Sequence, residues 1–502
     1  MMGTMRTVHG PTDRVVIVGA GLGGLACAVR LAATGRDVTV IERESTPGGR
    51  AGRLTIDGYA FDTGPTVFTM PELLADTFGT IGEDMADWVS LTRLDPAYRA
   101  HFPDGSTLDV IADPVRMAAE VSRACGPREA DGYLRFVSYV RRLWRLQRDD
   151  FIDRNLDGPR DLVTVNLLRL VAAGGFRRLD TKVAQFFRDP RTRRVFSFQS
   201  MYAGVAPHEA LALYSVIAYL DAVTGVYFPR GGVHAIPVAL AAAADKHGVA
   251  FRYGTAVEAV EVSGGRARAV RTAGGERVDA DVVVLNPDLP LAYRDLLPPG
   301  SAPAREQRRI ARLRQSPSAV VLHVGSTQPY AKIAHHNIHF GRAWRATFHD
   351  VIRDGVRMRD PSLLVTNPTR TDPSLAPDGR HAYYVLAPAP NLDVGRVGWT
   401  ERDTDRYADE LIAVLEARGY RGFGDGVEVR RVVTPADWAA AGLAAGTPFA
   451  SAHTLRQTGP FRPGNLHPTL ENVVFVGSGT QPGVGVPMVL ISGKLAAARI
   501  AG

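Results

Sequence analysis

From Val15 to Val18 the chain runs through four consecutive apolar, β-branched residues, the pattern of a strand buried on both faces of a parallel sheet. Gly19, Gly21 and Gly24 follow at once. Leu22, Leu25, Ala26, Val29 and Ala33 then recur at helical spacing, and Gly35 stands where a helix would end. A second strand, Val38 to Ile41, runs into Glu42. Near the other end, Val473 to Val476 form a short apolar strand that enters GSGTQPGVGVP, and Val489 to Ile500 reads as a helix. In between, GVAFRYGTAVEAVEV and ADVVVLN alternate like strands, as does IAHHNIHF around His335. The pattern predicts an α/β fold that opens with a strand, glycine turn, helix and strand of the Rossmann type. The most apolar run, ALALYSVIAYL from Ala210, stops at Asp221, short of the ~20 residues a spanning helix needs, so no membrane crossing is expected.

A chain of 502 residues exceeds what one core usually serves, so two or three modules are expected, interwoven or in series. Hydrophobic residues at 45% and charged residues at 22% are those of an ordinary globular protein. Cys27 and Cys125 offer neither a disulfide framework nor metal-ligand spacing, which fits a reducing, cytoplasmic setting. The start MMGTMRTVHGPTDR lacks the apolar core of a signal peptide, so export is not expected. The net charge of +7 admits nucleic acid, an anionic membrane surface or solubility alone. No nucleic-acid signature accompanies it, and no nucleic-acid partner is expected. RRLWRLQR at Arg141 and REQRRIARLR at Arg305 mix arginine with Leu, Ile and Trp at helical spacing; each reads as a solvated helix face or as an interfacial helix.

The glycine turn has a mechanical reading. Gly19 permits the tight turn, Gly21 lets backbone approach a pyrophosphate, and Gly24 lets helix and strand pack closely. The diphosphate would sit on the helix N-terminus, and Glu42 would accept hydrogen bonds from ribose hydroxyls. This unit alone does not separate NAD from FAD. PGGRAGR, from Pro47 to Arg53, and FDTGPTVF, from Phe61, follow so soon that the ligand is expected to extend past the first turn, as FAD does. Gly477, Gly479, Gly483 and Gly485 can turn several N–H groups toward one place, suited to the ribityl chain and pyrimidine edge of a flavin. His335, His336 and His339 have the spacing of metal ligands but no carboxylate among them, so packing and hydrogen bonding near a substrate mouth are expected instead, and no metal.

Through these motifs the chain resembles bacterial carotenoid desaturases of the phytoene desaturase type, within the flavin amine oxidase-like superfamily. The likeness runs nearly end to end, through GAGLGGL, PGGRAGR, DTGPTV, FPRGG at Phe228, AHHNIHFG at Ala334, SLAPDGRHAYYVLAPAPNL at Ser374 and ENVVFVGSGTQPGVGVPMVLISGK, the last close to a family signature. Ser478 departs from it, standing where Ala, Gly or Cys is usual. The resemblance implies FAD as cofactor and stepwise dehydrogenation of a phytoene-like isoprenoid hydrocarbon toward neurosporene or lycopene. It implies a Rossmann-type FAD-binding domain collected from residues 12–80, 229–290 and 470–502, interleaved with a mixed sheet and helical substrate region: a helical substrate and membrane region over 81–228 and a substrate domain over 291–469. Beside Gly19, Gly21, Gly24 and Glu42, it assigns Arg43, Gly49, Arg50, Gly477, Gly479, Gly485 and Val486 to the cofactor, with the Val257 backbone at the adenine.

Such a reaction needs a hydride acceptor, which the flavin supplies, and an apolar tunnel that holds the right carbon pair against it. Few catalytic side chains are required. The family's proposed acid/base residue has Asp161 as its nearest match, a position that also suits an ordinary charge at a helix start. Drawing a forty-carbon chain through water at ~0.8 kcal/mol per CH₂ would cost roughly 30 kcal/mol, so substrate is expected to arrive from lipid. Peripheral docking on the inner face of the cell membrane, through one of the two arginine-rich helices, is the corresponding expectation, with oxygen or a quinone taking the electrons. A later-pathway desaturase or isomerase stays open, as does a non-enzymatic isoprenoid carrier on the same fold, which would lack a working flavin site.

Overall fold

The computed structural model describes residues 5–502; the part of the N-terminal expectation that falls on residues 1–4 lies outside the described residues. A five-stranded parallel sheet runs in the order Val473–Phe475, Val282–Leu285, Arg14–Val18, Asp37–Ile41, Ala250–Arg252. Its central strand explains the unbroken apolar run at its start. Val15 and Ile17 pack with the helices Leu22–Ala32, Ala235–Lys246 and Val486–Ala501 on one face. Val16 and Val18 face the antiparallel meander Val257–Ser263, Arg266–Thr272, Arg277–Asp279 on the other. Both faces are covered, so neither tolerates a polar alternation.

The C-terminal helix begins at Val486, three residues before the apolar periodicity does, because Gly485 is its N-cap and Pro487 fits its first turn. It crosses Leu22–Ala32 so closely that a Cβ on Gly493 would lie 2.6 Å from the Gly23 carbonyl oxygen. That contact brings the two glycine-rich loops, some 450 residues apart, to the same edge of the sheet.

A seven-stranded mixed sheet forms the second layer, ordered Val427–Val433, Ser318–Ser326, His381–Ala389, Leu363–Thr366, His336–His339, Tyr98–His101, Thr107–Val110. Its last two strands fall within the segment over 81–228 expected to form a helical region. They are four residues each, too short to alternate visibly, and their polar positions are satisfied across the pair, where Arg99 grips Asp109 at 2.6 and 2.7 Å. The rest of that segment is largely helical, including Pro114–Cys125, Pro127–Gln147 and Val165–Ala172. Among the described residues no helix is long and apolar enough to cross a membrane.

The two arginine-rich stretches are helical, but neither offers an apolar face to a bilayer. Val140, Leu143 and Leu146 of Pro127–Gln147 are buried, while Arg141, Arg142 and Arg145 face solvent. Ala304–Ala311 tucks in Ile310 likewise. Apart from Leu134 on Pro127–Gln147, the exposed large apolar side chains lie elsewhere, most densely at Val163, Val165, Leu168, Val171 and Phe176.

Candidate flavin and substrate site

The turn after the first strand is built by steric exclusion. Gly19 sits at φ +97°, and its N–H donates to the Ile41 carbonyl at 2.8 Å. A Cβ on Gly24 would fall 2.4 Å from the Gly19 carbonyl oxygen. Gly21 caps the first helix without any side-chain hydrogen bond, so N–H groups of that first turn remain available to an anion. Glu42 is buried, its carboxylate accepting the Ala20 N–H at 2.6 Å and the Glu44 N–H at 3.0 Å, which fixes its orientation with lone pairs to spare.

Gly48 donates its N–H to the Ala20 carbonyl at 2.9 Å, which lays PGGRAGR along the first turn. Arg50 then reaches across the crevice: Nη2 lies 3.0 Å from the buried Asp288 carboxylate, and Nη1 bonds the Ser478 hydroxyl. The residue that departs from the family pattern thus anchors an arginine of the family motif. Asp62, within DTGPTV, accepts the Val233 and His234 N–H groups at 2.8 and 3.0 Å and ties FPRGG to the same edge.

The C-terminal loop is held from behind by Arg462, fully buried and donating to the carbonyls of Thr480, Ser451 and Ser478. Burial lowers its guanidinium to about 10, so it is still a cation at neutral pH. His453 is buried against Gly483, and that burial, with Arg462 beside it, holds the imidazole well below its usual range and hence neutral. Gly477, at φ +102°, and Gly479 are constrained by Asn286 and Leu289, whereas a Cβ on Gly485, at φ +114°, would meet nothing closer than the Met488 and Pro487 side chains at 4.0 Å.

One continuous cavity of about 1150 Å³ joins these parts. Gly19, Gly21, Glu42, Arg43, Gly49, Arg50, Val257, Gly477, Gly479, Gly485 and Val486 all line it. Gly24 lies behind the turn, where its role is packing, and Arg53 is not on the wall. Past the C-terminal loop the walls turn apolar, with Phe198, Ile217, Leu220, Phe340, Leu364 and Leu386 among them. Leu162, Leu167, Phe176, Leu455 and Phe461 also border the cavity, the last three exposed.

Sequence reasoning missed Asn286, which sits between the two glycine loops; its side chain accepts the Gly24 N–H at 3.2 Å and donates to the Val476 carbonyl at 3.3 Å. It missed Asp288 and Arg462 as well. The one available signal was the polar Asn that ends VVVLN where a buried strand gives out. Each of the three histidines has its own hydroxyl partner, although the His335 and His336 rings lie edge to face at 4.4 Å: His335 meets Thr371 at 2.7 Å, His336 meets Thr366 at 2.8 Å and His339 meets Tyr420 at 2.9 Å. None lines the cavity, which corrects the expectation of a place at its mouth; their neighbours Ile338 and Phe340 do.

The cradle suits a flavin: an anion-ready helix start, an oriented buried carboxylate, a glycine capping a second helix start without a side-chain hydrogen bond, and apolar walls in the same cavity. Fold and site define a flavin-containing oxidoreductase. The model of the flavin containing amine oxidoreductases matches residues 22–501. A phytoene dehydrogenase from Streptomyces griseus is 55% identical over 500 residues, spanning 99% of this chain and 97% of its own. A zeta-carotene-forming phytoene desaturase from Myxococcus xanthus is 40% identical over 490 residues, spanning 97% and 93%. A solved oxidoreductase from Methanosarcina mazei shares the fold at TM-score 0.60 and 17% identity, over 96% of this chain and 99% of that one. The chain belongs to the flavin containing amine oxidoreductase family and, within it, to the carotenoid desaturases.

Proposed function

We propose that this chain is an FAD-dependent desaturase that dehydrogenates a phytoene-like hydrocarbon in successive steps toward neurosporene or lycopene. The observation that carries the reading is the continuity of the cavity, from the polar glycine loops to an apolar bay and then to an exposed apolar rim. FAD is favoured over a mononucleotide because Glu42 and Val257 extend the cavity beyond the first turn, where an adenosine would lie. When bound, the flavin would supply a two-electron hydride acceptor. The protein's share is to hold one carbon pair of a featureless chain in place and to keep water out, for which apolar walls are sufficient.

The same reading places the protein on a lipid surface. Val163, Val165, Leu168 and Val171 are 83%, 62%, 70% and 56% exposed, beside the cavity rim at Leu162, Leu167 and Phe176. Arg160, Arg169 and Arg177 stand exposed around them without an ion pair among the described residues, as docking on anionic lipid requires. Docked there on the inner face of the cell membrane, the bay would open into lipid, and a quinone or oxygen would take the electrons.

Phytoene-loaded anionic liposomes test the reading. Purified flavin-loaded protein should convert phytoene to coloured polyenes whose absorption maxima count the conjugated bonds. Unchanged phytoene under both aerobic and quinone-supplemented conditions would overturn it.

A further inference from the structure

Asp221 closes the apolar run that starts at Ala210 and lies in the π turn Leu220–Thr224, an irregularity frequent at functional sites. It lines the cavity at the level of Phe198, Ile217 and Leu220, and only 6% of it is exposed. Its carboxyl is poorly compensated. Oδ2 accepts one long hydrogen bond from Gln199 Nε2 at 3.4 Å, and the buried Oδ1 has no partner. Gln199 is itself fixed, donating to the Val195 carbonyl at 2.8 Å and to the Tyr98 hydroxyl at 3.2 Å. The groups facing the carboxyl are Gln199, the backbone N–H groups of Asp221 and Ala222, and the hydroxyls of Tyr98 and Tyr202; no cation is among them.

A half-satisfied carboxyl in an apolar wall adds nothing to the binding of a hydrocarbon and costs the fold stability. Burial pushes it up to about 8, with the Gln199 bond and the N–H groups of Ala222 and Asp221 opposing, which leaves it poised to exchange a proton near neutral pH. Asp161, to which the family likeness points, is otherwise engaged: its Oδ2 accepts the N–H groups of Asp157 and Gly158 at 2.7 and 3.0 Å, and it is absent from the cavity wall.

We propose that Asp221 is the base that takes the proton from the substrate chain, with Gln199 as its positioning residue. The proposal rests on the desaturase reading. In each step one C–H bond of the saturated pair breaks with its electron pair leaving as hydride to the oxidised flavin. The neighbouring C–H bond breaks heterolytically, its electron pair becomes the new π bond, and its proton goes to the Asp221 carboxylate and then to solvent after product leaves.

The test compares flavin-loaded wild type, Asp221→Asn and Gln199→Leu on phytoene-loaded liposomes across pH, with infrared spectra of the same proteins. Wild type should rise in rate up to about pH 8, and a protonated-carboxyl band should fade over the same range. Asp221→Asn should be slower by about 10²–10⁴-fold, with unchanged flavin content, a flat pH profile and no such band. Gln199→Leu should move the rising limb and the band to higher pH. If wild type makes no polyene, the desaturase reading falls and the proposal with it. If wild type works while Asp221→Asn stays within about threefold of it, Asp221 alone is overturned. Should Asp221→Asn shed its flavin, Gln199→Leu decides, and an unmoved limb overturns the assignment.

Discussion

The Arg50 guanidinium meets the Asp288 carboxylate at 3.0 Å across 238 residues of sequence, with Asp288 almost wholly buried and also accepting the Ala444 N–H at 2.8 Å. Arg50 is its only cationic neighbour within salt-bridge distance among the described residues. Arg50→Ala therefore strands a buried charge, at a cost of about 3–5 kcal/mol, and unties PGGRAGR from the C-terminal loop. Asp288→Asn keeps a hydrogen-bonding group and should cost less, about 1–3 kcal/mol. Thermal melts and the flavin-to-protein absorbance ratio after dialysis check the order: wild type, then Asp288→Asn, then Arg50→Ala nearly colourless.

Gly24 and Gly35 belong to the same helical unit but differ in what surrounds them. A Cβ on Gly24 would sit 2.4 Å from the Gly19 carbonyl and 3.0 Å from Asn286 Oδ1, both fixed, whereas Gly35, at φ +75°, has nothing within 4 Å. Gly24→Ala must push the first helix off the sheet and should cost at least about 3 kcal/mol together with the flavin. Gly35→Ala pays only the left-handed backbone penalty, about 1 kcal/mol, and should keep its colour. Equal melting temperatures for the two variants would contradict this account.

The parts legible in the sequence were those coded locally. Val15–Val18, Gly19, Gly21, Gly24 and Glu42 lie within 30 residues, and their order alone specifies strand, turn, helix and strand. Asn286, Asp288 and Arg462 act at long range, each a lone polar residue at a strand end or in a loop, with no periodicity to mark it. For the arginine-rich helices an amphipathic pattern shows that a face is apolar, not whether core or lipid covers it, and here core covers much of it. Val165–Ala172 differs from both, because Val165, Leu168 and Val171 are apolar and exposed on the side away from buried Leu170.

The Asp221 carboxyl also predicts how stability varies with pH. An unfolded Asp titrates near 3.9, and burial raises the folded group to about 8, so the folded state holds the proton more tightly. The destabilisation from this group is absent below about pH 4, grows between the two values and is complete above about pH 8. Asp221→Asn, neutral throughout, should match wild type at pH 4 and exceed it at pH 8.5 by up to about 5 kcal/mol. Chemical denaturation at the two pH values measures the difference; a variant less stable at pH 8.5 would show the carboxylate to be compensated by a group other than Gln199.

Leu168 and Val171 stand 70% and 56% exposed on the rim-side helix and touch no packed core. Replacing both with Glu should leave fold and flavin content untouched, since nothing inside the protein depends on them. Each side chain withdrawn from lipid forfeits about 1.5–3 kcal/mol, and the added negative charge opposes anionic headgroups. Binding to anionic liposomes should therefore fall at least about 100-fold in a flotation assay, with phytoene conversion falling in parallel while flavin reduction by dithionite stays normal. Arg141→Glu with Arg145→Glu, on the helix whose apolar side is already buried, should change flotation only through net charge and vanish as an effect at high salt. If instead the Leu168 and Val171 pair floats like wild type and the Arg141 and Arg145 pair does not, the docking face lies on the long helix and the cavity rim is reached from the side.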